Sequence, residues 1–341
     1  MHPKLNRRNF IRKTAATGLT LGLGSAAIPL FSQASQPDVR VGMIGLDTSH
    51  SIAFTRLIND PDNKAAEGYR VTIAYPYGSR TIESSYSRIP GYIEDIKKLG
   101  VEIADSISSL LDVVDVVLLE TNDGNLHLEQ SIEVFRAGKP LFIDKPVAGN
   151  LKDAIAIYEA AEKHNVPVFS SSSLRWSRNS YQLRNGELIG RITGADTFSP
   201  AMIEPSHVDL YWYGVHGVES LFTVMGTGCR EVVRVHHPDT DVVVGTWDDG
   251  RLGTFRGIRK GRNGHGGTAF GETGISEIGP YDGYGPIIEE IIKFFKTGDP
   301  PVSRDETIEI FAFMEAADES RRNGGRPVQI DRVIEKAQAG I

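Results

Sequence analysis

Val39-Arg-Val-Gly-Met-Ile-Gly-Leu-Asp-Thr-Ser-His50 is the stretch whose reading decides the fold. A short apolar run with β-branched residues, closed by glycine, reads as a buried strand. Asp47, Thr48 and Ser49 are all N-cap residue types, so a helix is expected to start near Thr48. Strand, glycine turn and helix N-terminus in that order make the phosphate cradle of a doubly wound α/β domain. The cradle is altered here. Counted from Gly45, a G-x-G-x-x-G fingerprint needs glycine at positions 47 and 50, where the chain has Asp47 and His50. The second glycine lets the backbone approach a pyrophosphate, and the third lets helix and strand pack closely. A carboxylate at 47 repels phosphate and is able to occupy the helix N-terminus itself. The stretch argues for the fold and against ordinary dinucleotide binding.

Downstream, strands and helices alternate. Arg70–Ala74 reads as the second strand, running into Tyr75-Pro-Tyr-Gly-Ser-Arg80 with no acid to hold the ribose of NAD. Ser79 and Arg80 are candidates to face a 2′-phosphate instead. Helical patterns at Tyr92–Leu99 and Ser106–Leu111 flank a short strand at 101–103. Val113–Leu119 is the strongest buried strand; Glu120-Thr-Asn-Asp-Gly-Asn-Leu-His127 follows it, where ligands bind in such sheets. A helix over 127–137, a strand over 140–147, a helix over 151–164 and a strand over 167–170 complete a parallel sheet. After Ser170 the pattern turns to α+β, with a helix near 180–188 and a strand at 192–198. A helix beginning near His216 follows, then strands at 231–236, 241–247 and 253–259 with an Asp248-Asp-Gly250 hairpin turn. Amphipathic helices at 286–295 and 305–323 close the chain. The expected fold class is α/β: a Rossmann-like doubly wound parallel sheet over 37–170, then an α+β domain with an open, mainly antiparallel sheet over 171–341.

Residues 1–36 read as a leader. Asn6-Arg7-Arg8-Asn9-Phe10 is a twin-arginine pattern, and the Gly/Ala-rich apolar run from Ala15 to Phe31 resembles a signal h-region. A periplasmic protein exported by the twin-arginine route is the expectation, with no membrane contact after leader removal. The chain of 341 residues is 40% hydrophobic and 24% charged. Its net charge of −7 leaves no basic footprint for nucleic acid. Cys229 is the one cysteine, so no internal disulfide forms. No histidine, cysteine or acid pair has diagnostic metal-ligand spacing, and no metal site is expected.

At Gly138-Lys-Pro-Leu-Phe-Ile-Asp-Lys-Pro146 the chain resembles the Gfo/Idh/MocA family, whose motif there is A-G-K-x-V-x-x-E-K-P. The resemblance extends to Val41–Gly45, to Thr121–His127 as the family's T-P-N-x-x-H loop, and to Phe294–Val302, covering almost all of the chain after the leader. It implies an NAD- or NADP-dependent oxidoreductase acting on a sugar or cyclitol. The cofactor contacts implied or suggested are Gly45, Asp47, Thr48, Ser49, His50, Thr121, Asn122, His127 and Lys145. The family lysine falls on Lys145, bridging nicotinamide and substrate hydroxyl. The histidine of the family's D-x-x-x-H pair falls on His216, its aspartate on Trp212, and Asp144 replaces the usual glutamate. The family's second-domain sheet often packs on a partner subunit, which implies a homo-oligomer.

Dehydrogenation of a carbinol needs a base for the hydroxyl proton, and His216 suits that work near neutral pH. Lys145 either holds the alkoxide or acts as base if burial lowers its pKa. Arg175 is a candidate for substrate hydroxyls or a carboxylate, and Trp212 and Tyr213, with Tyr211, for a sugar-stacking wall. His207 is a weaker candidate, and His236-His237 receives no role. An exported enzyme of this kind has to keep its nicotinamide and recycle the hydride within each turnover, and two reactions fit: oxidation of one sugar coupled to reduction of another, or transient oxidation of a sugar carbon, elimination or addition across the neighbouring bond and return of the hydride. Asp47, His50 and Trp212 favour an alternative, a non-redox lyase or hydratase on keto-sugars. A carbohydrate-binding protein without catalysis is the third reading.

Overall fold

Thr48 caps the first helix as the sequence requires. Its backbone is extended, and its hydroxyl accepts the His50 N–H at 3.4 Å. The computed structural model describes residues 38–340; the twin-arginine leader assigned to residues 1–36 lies outside the described residues.

The first sheet is built from β1 (Val39–Ile44), β2 (Tyr69–Tyr75), β3 (Glu102–Ile103), β4 (Val116–Leu119), β5 (Leu141–Asp144) and β6 (Val168–Ser171). All pairings are parallel, in the order β3-β2-β1-β4-β5-β6. Its crossovers carry α1 (Ser49–Ile58), α2 (Glu83–Tyr86), α3 (Ile89–Lys98), α4 (Ile107–Leu111), α5 (His127–Arg136) and α6 (Leu151–His164). Strand order reverses between β1 and β4, and a doubly wound sheet opens a ligand crevice at that point, beyond the carboxyl ends of the strands. Gly45, Glu120 and Asp144 all stand at that edge.

β4 is shorter than the apolar run suggested. Val113 and Val114 belong to the turn out of α4, and the Asp115 carboxylate turns back to accept the Arg40 N–H at 2.8 Å and its guanidinium at 3.0 Å.

Short α7 (Ser180–Arg184) leads to the second sheet: β7 (Ile192–Pro200), β8 (Cys229–His237), β9 (Thr240–Trp247), β10 (Leu252–Ile258), β11 (Gly266–Gly271), β12 (Gly274–Ile278) and β13 (Val328–Gln329). Their order is β12-β11-β7-β10-β9-β8-β13, antiparallel except for β7 with β10. α8 (Val215–Met225), wholly buried, lies against β7 and β10. Gly217 makes that approach possible: a Cβ there would collide with the Phe255 ring and stand 2.9 Å from Ser199 Oγ. α9 (Gly285–Thr297), α10 (Arg304–Arg322) and α11 (Ile330–Gln338) follow. α10 packs on β8, and α9 joins the apolar core on one face of the parallel sheet through Ile287, Ile288, Ile291 and Phe294. Among the described residues no helix is long and apolar enough to cross a membrane.

Candidate active site

A cleft of about 230 Å³ opens over the carboxyl edge of the parallel sheet. Thr48, Ser49 and His50 line it from the start of α1, Asn122 from the loop after β4, Lys145 from the end of β5, and Tyr213 and His216 from the start of α8. Arg88, Ser173, Leu174, His265, Tyr281 and Tyr284 complete the wall. Seven residues singled out in the sequence therefore meet in one place.

Lys145 places its ammonium 3.9 Å from Asp144 Oδ2. That carboxylate accepts the His50 Nδ1–H at 2.7 Å. Burial opposes ionisation of Asp144, but the positive charge of His50 and Lys145 outweighs it and holds the carboxyl down at about 2. The imidazole of His50 packs parallel to Phe54 and edge-on to Tyr284. His216 is 2.7 Å from Ser172 Oγ through Nδ1, and its ring stands edge-on to His265. Burial first, then the charges of Lys145, His265 and His50, push the His216 pKa well below the usual imidazole range.

Asp47 neither caps α1 nor faces open space. Its carboxylate is 0% exposed and crosses the strand ends, accepting Ser79 N–H at 3.0 Å and Asn122 N–H at 2.8 Å. Burial raises its pKa to about 6, against the lowering effect of those two N–H groups. No cation pairs with it among the described residues. Glu120, one residue past β4, is 0% exposed with both carboxylate oxygens unpartnered. Burial, then the nearby Asp144 charge, raises its pKa well above the ordinary carboxyl value.

Several expected contacts belong to the frame rather than the cleft. His127 is buried, with Nε2 2.6 Å from the Thr121 carbonyl and Nδ1 3.2 Å from the Val147 carbonyl, so it ties the two loops together. Thr121 is buried behind Gly45, where a Cβ on the glycine (φ +94°) would stand 2.6 Å from Thr121 Cα. Arg175 is a clear correction. It is fully buried and donates to Glu219 at 2.7 Å and to Glu306 at 2.8 Å, joining the segment after β6 to α8 and α10. Trp212 is 9% exposed and packs on His207, leaving Tyr213, 42% exposed, as the aromatic side chain of that segment in the cleft. His207 Nε2 accepts Gly124 N–H at 3.1 Å. Ser79 donates to Asp123 at 2.9 Å rather than facing a phosphate, and Arg80 is exposed.

The sequence reading missed His265, Tyr281, Tyr284 and Arg88, which come from loops or helix ends with no spacing signal. It also found no metal-ligand spacing. In the structure His50, Glu120 and Asp144, from three separate elements, offer donor atoms all within 4.8 Å of one another.

A dinucleotide fits this edge conditionally. The glycine turn and the α1 N-terminus remain, and Thr48, Ser49, Asn122 and Lys145 border the cleft where the nicotinamide end would lie. The fingerprint position that a pyrophosphate would approach is Asp47, whose buried carboxyl is compatible with an anion when it carries a proton. The cleft is also smaller than the ~300–1,000 Å³ of drug-sized pockets, a size for one sugar ring beside a cofactor.

Residues 39–172 match the model of the GFO_IDH_MocA oxidoreductase family, its NAD-binding Rossmann fold. Myo-inositol 2-dehydrogenase of Thermotoga maritima is 29% identical over 189 residues, 48% of this chain and 56% of that enzyme. The chain thus spans little more than half the length of that relative. A probable dehydrogenase from Thermotoga maritima superposes with a TM-score of 0.71 at 23% identity, over 87% of this chain and 100% of that one. Scyllo-inositol dehydrogenase from Lactobacillus casei, solved with NAD(H) and scyllo-inositol, gives 0.68 at 15% identity over 86% and 99%. At these identities the two solved structures establish the shared fold.

Proposed function

We propose that this chain, whose residues 39–172 match the Gfo/Idh/MocA oxidoreductase family model, is an exported oxidoreductase of that family acting on a carbinol carbon of a sugar or cyclitol. The observation that carries this reading is that Lys145 and His216, from the parallel sheet and from α8, border one ring-sized cleft. Lys145 supplies a fixed positive charge for the reacting oxygen. His216 takes the hydroxyl proton. In the tautomer that donates Nδ1–H to Ser172 Oγ, Nε2 is the acceptor, and burial keeps the ring unprotonated at neutral pH. Tyr213 offers a ring face to the apolar side of a sugar. NAD or NADP, tightly held, would rest its nicotinamide half against Thr48, Ser49, Asn122 and Lys145. Bound there, it would supply the hydride acceptor. The names of the inositol dehydrogenase relatives make cyclitols the first substrates to offer.

The test is to purify the full chain folded in the cytoplasm, denature it and identify released nucleotides by mass spectrometry. NAD+ and NADP+ are then offered with a panel of inositols and aldoses. Stoichiometric nucleotide, and turnover lowered about 100-fold or more in Lys145→Ala and His216→Ala, are expected. No nucleotide released and none bound on addition refutes the redox reading.

Asp47 favours a second reading, a lyase or hydratase on keto-sugars in which Lys145 and His216 act as acid and base without nicotinamide. Turnover of a keto-sugar by nucleotide-free protein separates the two. The leader implies periplasmic location, tested by lysine substitution at Arg7 and Arg8 and cell fractionation. Exposed Val235, Leu252 and Ile275 on the second sheet support a homo-oligomer, tested by light scattering.

A further inference from the structure

We propose that His50, Glu120 and Asp144 bind one divalent first-row metal ion beneath the floor of the cleft. One nitrogen of His50 and one oxygen each of Glu120 and Asp144 lie within 4.8 Å of one another. They come from the first turn of α1, the residue after β4 and the end of β5, so the rigid sheet edge at the strand-order reversal holds all three. Donors 2.0–2.2 Å from a metal stand about 3–4 Å apart, and closing this set needs movements of about 1 Å.

Glu120 is the independent observation. A wholly buried carboxyl with two unpartnered oxygens is costly, and natural interiors rarely leave one so. The nearest cationic groups are engaged elsewhere: His50 Nδ1 donates to Asp144, and Lys145 stands 3.9 Å from the same carboxylate. A bound cation would satisfy Glu120 and balance its charge together with that of Asp144. A donor set of two carboxylates and one imidazole suits Mn²⁺, Fe²⁺ or Zn²⁺ better than a thiolate-seeking ion. His50 and Lys145 both border the cleft, so the ion would lie directly behind the proposed substrate position.

The site is independent of nicotinamide, and its test uses none. The full chain is stripped with EDTA, dialysed and titrated with MnCl₂ or ZnCl₂. Bound metal is counted by mass spectrometry and affinity is read by calorimetry. One ion per chain is expected, with affinity falling about 100-fold or more in Glu120→Gln and in Asp144→Asn. Circular dichroism confirms that the variants are folded. As a second readout on unaltered protein, the electron-spin-echo spectrum of bound Mn²⁺ should carry a ¹⁴N coupling from one imidazole. Less than a tenth of an equivalent bound by the parent chain, equal binding by a folded Glu120→Gln variant, or Mn²⁺ without nitrogen coupling would each overturn the assignment.

Discussion

Replacing Asp47 by asparagine tests the electrostatics of the altered cradle. The carboxyl releases its proton at about pH 6 in the folded chain, against 3.8 for the free group. Between those values the unfolded chain is deprotonated while the folded chain keeps the proton, so stability falls as pH rises. Each pH unit in that window is worth about 1.4 kcal/mol, giving a loss of about 3 kcal/mol that is complete above pH 6. Asparagine cannot ionise, but its NH₂ must face one of the two N–H groups, Ser79 or Asn122, that the carboxylate now satisfies. That mismatch costs about 1–3 kcal/mol at every pH. The variant is therefore expected to be the less stable chain at pH 4 and to draw level with the parent or pass it at pH 8. Urea unfolding of both proteins across pH 4 to 8 gives the difference, in which the other titrating groups cancel. A difference that stays flat from pH 4 to 7 refutes the raised pKa. The same variant, lacking the negative charge, should bind NAD+ more tightly at pH 8, and binding no tighter than in the parent would show that Asp47 does not lie on the pyrophosphate track.

Arg175→Met leaves Glu219 and Glu306 without their shared buried cation and should cost about 3–5 kcal/mol of stability by urea unfolding. A stable variant that has lost substrate affinity would instead restore Arg175 to the binding site. Gly217→Ala forces a methyl into the Phe255 ring, so about 1–3 kcal/mol of destabilisation is expected, with a fall in turnover as the adjacent His216 shifts. Wild-type stability and activity at 25 °C would show that α8 moves freely. The depressed pKa of His216 places the acid limb of kcat/KM below pH 6.5, and the same group costs stability as pH drops below 6.5, because folding then requires it to shed a proton. An acid limb above 6.5 that His216→Gln leaves in place would remove it as the base.

The sequence carried the fold where burial imposes a period. Leu151–His164 forms the expected helix, and Asp241–Trp247 alternates buried and half-buried residues as a strand over one core face should. The mainly antiparallel second sheet was legible for the same reason. β11 and β12 were not, because Gly266-Gly267 and Gly271–Gly274 read as loop although they pair along one edge. Lys145, His216 and His50 were legible at the site because each adjoins a strand end or a helix start. Arg175 misled because a charged side chain after a strand usually faces the crevice, whereas here two glutamates from other helices meet it in the core. Glu120 passed unremarked for the opposite reason: one acid after a buried strand carries no pattern, and its isolation is visible once the neighbours are placed.

Those neighbours give the edge an unusual sign. Asp47, Glu120, Asp123 and Asp144 are all buried around the reversal point, with Lys145 and His50 as the nearby cationic groups. A crevice that receives a pyrophosphate gains from backbone N–H groups and a helix N-terminus. In this chain two of the N–H groups that face the turn, those of Ser79 and Asn122, are already taken by Asp47. The surplus negative charge has two physical outlets, a proton or a metal cation, and pH separates them. Protonating Asp47 below about pH 6 favours an incoming dinucleotide, whereas metal ligands bind best when deprotonated, so cation affinity should rise with pH. Nucleotide and metal titrations run on the same protein at pH 5.5 and 8 should therefore move in opposite directions. If both affinities rise together, the buried carboxylates do not control either ligand.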